Sequence, residues 1–362
     1  MRTSYSRIGL ALVLLLSSIL GVTTGAQAGA PVEQYANPPI HVRPDASTSP
    51  TGISPSLIKS VYNFPTSSTA GAGQTIAIVD AYDDPNAEAD LGVFSQQYGL
   101  PECTTANGCF TKVNQTGGTK SPRPDAGWAI EISLDVQWAH AIAPGAKILL
   151  VEADSSKFTD LMAAESYAKT HAHYVSNSWG AAEFSGESAY DSNFVQPGVS
   201  FFVASGDNGT PAQYPSSSPN VISVGGTTLH FTSGVFSSET GWAGSGGGCS
   251  LYETANSAQN TDSVSCSGLR ATPDVSLDAD PASGVSVYDS VRYHGQRGWW
   301  AVGGTSAATP MWAARSAVQA TTVDAAYVYG SRITYRDITS GNNGNACLVG
   351  YDLVTGRGSW LG

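Results

Sequence analysis

Charge is scarce in this chain. Only 13% of its 362 residues are Asp, Glu, Lys or Arg, and the basic ones are the scarcer, 17 Lys and Arg against 29 Asp and Glu. The formal charge of −12 excludes a surface built to hold nucleic acid or an anionic membrane. Cysteine occurs five times, never as C-x-x-C, and the six histidines are not spaced for zinc, so a zinc site is excluded as well. Long apolar runs are missing beyond the N-terminus, where Arg2 and Arg7 flank a stretch from Ile8 to about Gly21 that leads to Ala26-Gln27-Ala28. That pattern reads as a secretory signal peptide over residues 1–28, cut after Ala28, which predicts a secreted, extracellular protein with no membrane span after cleavage.

What remains is apolar, rich in glycine and long enough for a large core: 41% hydrophobic residues, 40 Gly and 19 Pro. An oxidising compartment suits the cysteines. Cys103 and Cys109 bracket a short loop that a disulfide would close, Cys249 and Cys266 bracket a longer one, and Cys347 is left without a mate. Residues 29–51 are Pro-rich and polar and read as a short, loose leader.

From residue 52 short apolar strands alternate with helices. "TIAIV" (75–79) reads as a buried strand ending at Asp80, with Asp80, Asp83 and Asp84 in the turn after it. "GWAIEISLDVQWAHAI" reads as a helix with Ile130, Leu134 and Trp138 on its apolar face, ended by Pro144-Gly145. "AKILLVEA", "AHYVSNSW", "VSFFVASGD" and "NVISVGGT" read as further strands, whereas residues 226–300 look irregular. The alternation predicts an α/β fold, a mostly parallel central sheet flanked by helices on both faces, over one domain from 52 to 362.

Three short segments carry candidate chemistry. Glu131 and Asp135 sit four apart in a helix, on one face, where like charges repel. They are either a solvated face or a working pair. Asp207, in "SGDNG", lies on a loop at a strand's C-terminal end, where open α/β sheets bind ligands. Ser306, in "GGTSAATP", opens a helix whose N–H groups and dipole suit a nucleophile that generates an oxyanion; the same serine would also cap a helix. Ser176–Gly180 offers a strand end that an extended peptide would pair with, and the Gly-rich residues 244–248 lie as a second candidate wall.

In their order, Glu-x-x-x-Asp, then Ser-Gly-Asp, then Gly-Thr-Ser, these motifs resemble the sedolisin family of serine-carboxyl peptidases, a branch of the subtilisin-like fold. Ordinary subtilisins carry a catalytic histidine in His-Gly-Thr-His, which this chain lacks. The resemblance implies an endopeptidase acting on proteins or peptides in acid. Ser306 would attack, Glu131 would accept its proton, Asp135 would hydrogen-bond to Glu131, and a protonated Asp207 would donate to the oxyanion. It also implies one calcium ion held by Asp337, the carbonyls of Ile338 and Gly350, and Asp352, although Leu348 stands where the family often has glycine. Relatives carry a long prodomain, which 29–51 is too short to be, so a separate folding or inhibitory protein is a candidate partner; the chain itself reads as a monomer. Two rivals stand beside this reading: a catalytically silent relative that binds peptides, and a subtilisin-type hydrolase that uses Asp80 with a histidine.

Overall fold

The computed structural model describes Met1, residues 33–261 and residues 266–362. Apart from Met1, the residues expected to form a signal peptide lie outside the described ones. Among the latter no helix is long and apolar enough to cross a membrane.

A ten-stranded sheet runs in the spatial order Tyr335–Arg336, Ser359–Trp360, Val275–Asp278, Ile222–Thr232, Ser200–Ala204, Tyr174–Asn177, Thr75–Ala81, Lys147–Ala153, Phe110–Asn114, with Val235–Gly241 paired to Ile222–Thr232. From Phe110–Asn114 to Ser359–Trp360 every neighbouring pair is parallel. A parallel sheet is covered on both faces, which is why these strands read as apolar runs rather than as an alternation. Successive residues nonetheless serve opposite layers. Ile76, Ile78, Ile148, Leu150 and Phe202 pack toward the helices Ala126–Ile142 and Thr305–Gln319. Ala77, Val79, Leu149, Val151 and Val203 pack toward the helix Phe158–Ala168.

Residues 226–300 are more regular than their composition suggests. Ile222–Thr232 and Val235–Gly241 form an antiparallel pair, and Val285–Tyr293 with Gln296–Gly303 forms a second. The latter hairpin lies over the Glu131 helix: Trp138 donates Nε1–H to the Ser286 carbonyl at 2.9 Å, and the Gln137 side chain bonds both backbone groups of Tyr288 at 2.7 and 3.0 Å. With the sheet below and the hairpin above, that helix has no solvated face, and every residue from Trp128 to Ile142 is buried. Disulfides join Cys103 to Cys109 and Cys249 to Cys266, while Cys347 is free and buried.

The packed unit begins at Gln34. The leader that reads as loose is pinned from residue 34 to 47. Asn37 pairs antiparallel with Gly180, His41–Val42 pairs with Gly303 and Val302, and Ser47 exchanges two backbone hydrogen bonds with Trp299. Sequence patterning misses this because the attachment is made by backbone groups, which any side chain leaves available.

Candidate active site

The C-terminal ends of the parallel strands converge on one locus. Asp80 stands near the end of its strand, Ser205-Gly206-Asp207 follows Ser200–Ala204, and the Thr305–Gln319 helix delivers Ser306 in its first turn. Gly304 occupies the helix N-cap and no side chain caps the end, so Ser306 is not spent on capping. Its hydroxyl is fully buried and makes no hydrogen bond of ordinary geometry among the described residues.

Glu131 lies against this hydroxyl, and both its oxygens are likewise buried without a hydrogen bond of ordinary geometry. Burial pushes its carboxyl well above the usual range; the negative charges of Asp135 and Asp80 add to that, and the Ser306 hydroxyl pulls the other way. Asp135 is raised well above its usual value too, first by burial and then by Asp80, with the Ser178 hydroxyl opposing. An isolated buried carboxylate costs far more than a buried acid, so this cluster holds protons that the same groups would lose in water.

Asp80 is the member that sequence reasoning misplaced. It is not in a surface turn: its side chain is fully buried, its pKa is raised to about 8 by burial, and it faces the Glu131–Asp135 pair. The signal available was a carboxylate at the end of an apolar run, with no turn residue until Asp83. Asp83 and Asp84 do belong to the exit of that strand. Asp83 pairs with Lys112, and Asp84 caps Asn86 and receives the Ser133 hydroxyl from the Glu131 helix at 3.3 Å.

Asp207 is held from one side. Its Oδ1 accepts the Thr305 backbone N–H at 2.8 Å and lies 3.0 Å from the Thr305 hydroxyl, whereas Oδ2 is buried with no hydrogen bond. Burial raises this carboxyl to about 8 against the Thr305 contacts. Because Oδ1 is an acceptor, the proton belongs on Oδ2, which borders a cleft of about 360 Å³ lined by Asn37–His41, Gly180–Ala182, Asn208 and Gln213. Gly304, at φ +114°, is required here, since a Cβ would lie 2.6 Å from Asp207 Oδ2 and 2.1 Å from the Pro39 carbonyl oxygen.

The Gly-rich 244–248 segment does not line this cleft. Gly246 donates to the Gly206 carbonyl at 2.7 Å and Gly209 donates to the Gly244 carbonyl at 2.9 Å, and a Cβ on Gly246 would strike the Ser205 carbonyl at 2.0 Å. The glycines are there so that this segment can buttress the Asp207 turn from below.

The C-terminal candidates gather on one loop. Asp337 is exposed, and its two oxygens share the Gly350 N–H at 3.1 and 3.2 Å. Asp352 is buried and accepts from the N–H groups of Leu348, Val354 and Thr355. Both carboxylates contribute to raising the nearby Cys347 thiol to about 12, after burial. The donor chemistry fits a hard cation, since Asp337 keeps lone pairs available and the loop supplies carbonyls. The cluster of Cys103, Cys109 and His140 fits no metal, because its two sulfurs form a disulfide.

The subtilase family model matches residues 123–336. Kumamolisin of Bacillus sp. (strain MN-32) is 31% identical, over 87% of this chain and 63% of its own length. Sedolisin of Pseudomonas sp. (strain 101) is 29% identical, over 85% of this chain and 60% of its own length. The chain therefore spans somewhat less than two thirds of either relative. Among solved structures, Pseudomonas sedolisin, a serine-carboxyl proteinase complexed with two molecules of pseudo-iodotyrostatin, superposes with a TM-score of 0.73 at 29% identity, covering 86% of this chain and 96% of that one. Sphericase, at 20% identity and a TM-score of 0.53, shares the fold.

Proposed function

Since this chain belongs to the subtilase family and, within it, to the sedolisin branch, we propose that it is a secreted serine-type endopeptidase that hydrolyses peptide bonds in acid. The observation that carries the reading is a buried serine hydroxyl set against Glu131 in a cluster of proton-holding carboxyls, beside a helix start to which a further buried carboxyl, Asp207 at the cleft, is tied through Thr305.

Ser306 Oγ adds to the substrate carbonyl carbon while Glu131 takes its proton, a base role that needs Glu131 ionised and Asp135 and Asp80 protonated beside it. The negative charge then on the carbonyl oxygen is met by the Ser306 backbone N–H and by the Oδ2–H of Asp207. Glu131 returns the proton to the leaving amine, the C–N bond breaks, and water repeats the sequence on the acyl ester. No imidazole takes part. An extended substrate backbone pairs with Gly180, as Asn37 does here. Calcium, when bound, would be held by Asp337, Asp352 and the carbonyls of Ile338 and Gly350, and would brace the 337–352 loop by offsetting the two carboxylates.

The test is digestion of a denatured protein between about pH 2 and pH 8, with product termini read by mass spectrometry. The wild type should cleave best below neutrality. Ser306→Ala should lose about 10⁴-fold or more in rate. Full activity in the alanine variant, or an optimum near pH 8, would refute the assignment.

A further inference from the structure

We propose that Glu183, Glu187, Asp191 and Glu253 form an acid-closed clasp behind one wall of the cleft, and that substrate binding weakens when the clasp opens toward alkali. The inference rests on the peptidase reading and adds a control of binding separate from the carboxyls around Ser306.

The wall is Gly180–Ala182. It borders the cleft with Gln213, and Ala181–Ala182 pairs antiparallel with Gln213–Tyr214. A ribbon of two residues a side does not hold itself in water, so its position depends on what lies behind it. Glu183, the next residue, accepts the Ser250 hydroxyl and, at 2.9 Å, the Leu251 N–H, which ties the wall to the strand Gly248–Thr254. Glu187 opens the short helix Glu187–Phe194, and its oxygens accept the Phe184 N–H at 2.6 Å and the Ser217 hydroxyl at 3.3 Å. Asp191, on the same helix, accepts the Tyr214 hydroxyl at 3.1 Å. The Phe184 ring meets Phe158 and Tyr214 edge-on, and Phe158 meets Trp179, the residue before Gly180. Movement behind the wall is thereby passed to the wall.

The carboxyls also face one another, Glu187 with Glu183 and Glu253 with Asp191. Two carboxyls in contact hold a proton between them, because an ionised one can only accept. Glu253 is 3% exposed and no donor reaches its Oε1 among the described residues, so it carries the proton it shares with Asp191. Among the described residues no cation pairs with any of the four. Lys169, on the neighbouring helix, is bonded to the Ser192 and Asn193 carbonyls at 3.0 and 2.9 Å, and Arg270 to Asp274. The Tyr214 phenol is kept neutral by burial and by the Asp191 charge. Burial lifts Glu187 to about 8 against the Phe184 N–H, with the charges of Glu183 and Glu253 adding to it; burial lifts Glu253 to about 7, with Asp191 adding. An opened clasp would release these protons near the ordinary glutamate value of about 4.3. Between that value and 7 to 8 the closed form binds more protons, so each step toward alkali favours opening.

The test uses the full chain. KM and kcat for one peptide are measured from about pH 4 to pH 8. In Ser306→Ala, used to prevent digestion, amide exchange over residues 181–191 and 248–254 is followed by mass spectrometry and corrected for its intrinsic pH dependence. KM should rise about tenfold or more between pH 5 and pH 8, whereas ionisation of Asp207 lowers kcat. The two segments should lose protection over the same range while the strand Thr75–Ala81 keeps its own. Glu187→Gln combined with Glu253→Gln puts a neutral group of the same shape at each position. Near pH 4 its KM and kcat should match wild type, and its KM should rise less than about threefold by pH 8. Protection that persists to pH 8 in Ser306→Ala would overturn the clasp, as would a KM rise equal in wild type and the double variant. Opening in a protein that cleaves no peptide at any pH would refute the peptidase reading and leave the clasp standing.

Discussion

Thr305 donates its backbone N–H to Oδ1 of Asp207 at 2.8 Å, and Oδ2 of the same carboxyl makes no hydrogen bond and lies 3.4 Å from His41 Nε2. One residue thus ties the proposed oxyanion donor to the first turn of the helix that carries the proposed nucleophile, and it decides which oxygen keeps the proton. An amide would fit the same frame, with its oxygen on Thr305 and its NH₂ toward the cleft.

Asp207→Asn should therefore keep kcat within about tenfold of wild type, whereas Asp207→Ala should lose about 10²–10³-fold. The asparagine cannot ionise. Wild-type activity should fall as pH rises through about 8, where Asp207 loses its proton, and in the asparagine variant that fall should move to higher pH. A pH–rate series on the three proteins checks this, and equal losses in both variants would refute the donor role.

Asp80 raises the carboxyls of both Glu131 and Asp135 by its charge. That charge is present only once Asp80 itself ionises, near pH 8. Asp80→Asn should therefore leave the acidic limb of the pH–rate profile in place, since Asp80 is neutral there in both proteins, and change the profile only as pH rises through about 8. A shift of the acidic limb would show that Asp80 is ionised in acid.

Stability should fall as pH rises. Asp80 and Asp207 are raised to about 8 in the fold, whereas an unfolded chain releases such protons near pH 4. Between those values the folded form binds more protons than the unfolded one, so each step toward alkali favours unfolding. With Ser306→Ala used to prevent digestion, Tm should be lower near pH 8 than near pH 4 by roughly 10 °C. A flat or rising Tm would show that the buried carboxyls are ionised.

The two carboxylates of the C-terminal loop should separate under calcium. Asp352 holds the N–H groups of Leu348, Val354 and Thr355, so Asp352→Ala should lower stability by about 1–3 kcal/mol even in chelator. Asp337 is exposed and bonds only Gly350 N–H among the described residues; Asp337→Ala should leave the chelated protein's Tm nearly unchanged and abolish its rise on adding calcium. Thermal melts of the three proteins with and without calcium decide it, and a wild type indifferent to calcium would rule out the ion.

The sheet was readable in advance because strands covered on both faces must be apolar, as in "TIAIV" and "KILLV". The grouping of Glu131, Asp135, Asp207 and Ser306 was readable only through a resemblance, since each has an ordinary structural explanation when taken alone. Burial of the Glu131 helix on every side was not readable: it depends on the 285–303 hairpin, whose strands are short of the simple alternation that marks a half-exposed pair. Asp80 reads as a turn residue because an aspartate at the end of an apolar run usually is one, and only the neighbouring helix makes it a member of the cluster. The leader escaped because its hold on Gly180 and Ser306 is main chain to main chain.

The protonated interior has one more effect. The formal charge of −12 counts every carboxyl as ionised, yet in the folded protein Asp135 is raised well above its usual range, and Asp80, Glu165 and Asp207 to about 8. In a neutral electrophoresis gel the native molecule should behave as several charges less acidic than its composition, and denaturation should expose those hidden acids as a jump in mobility per unit of frictional drag.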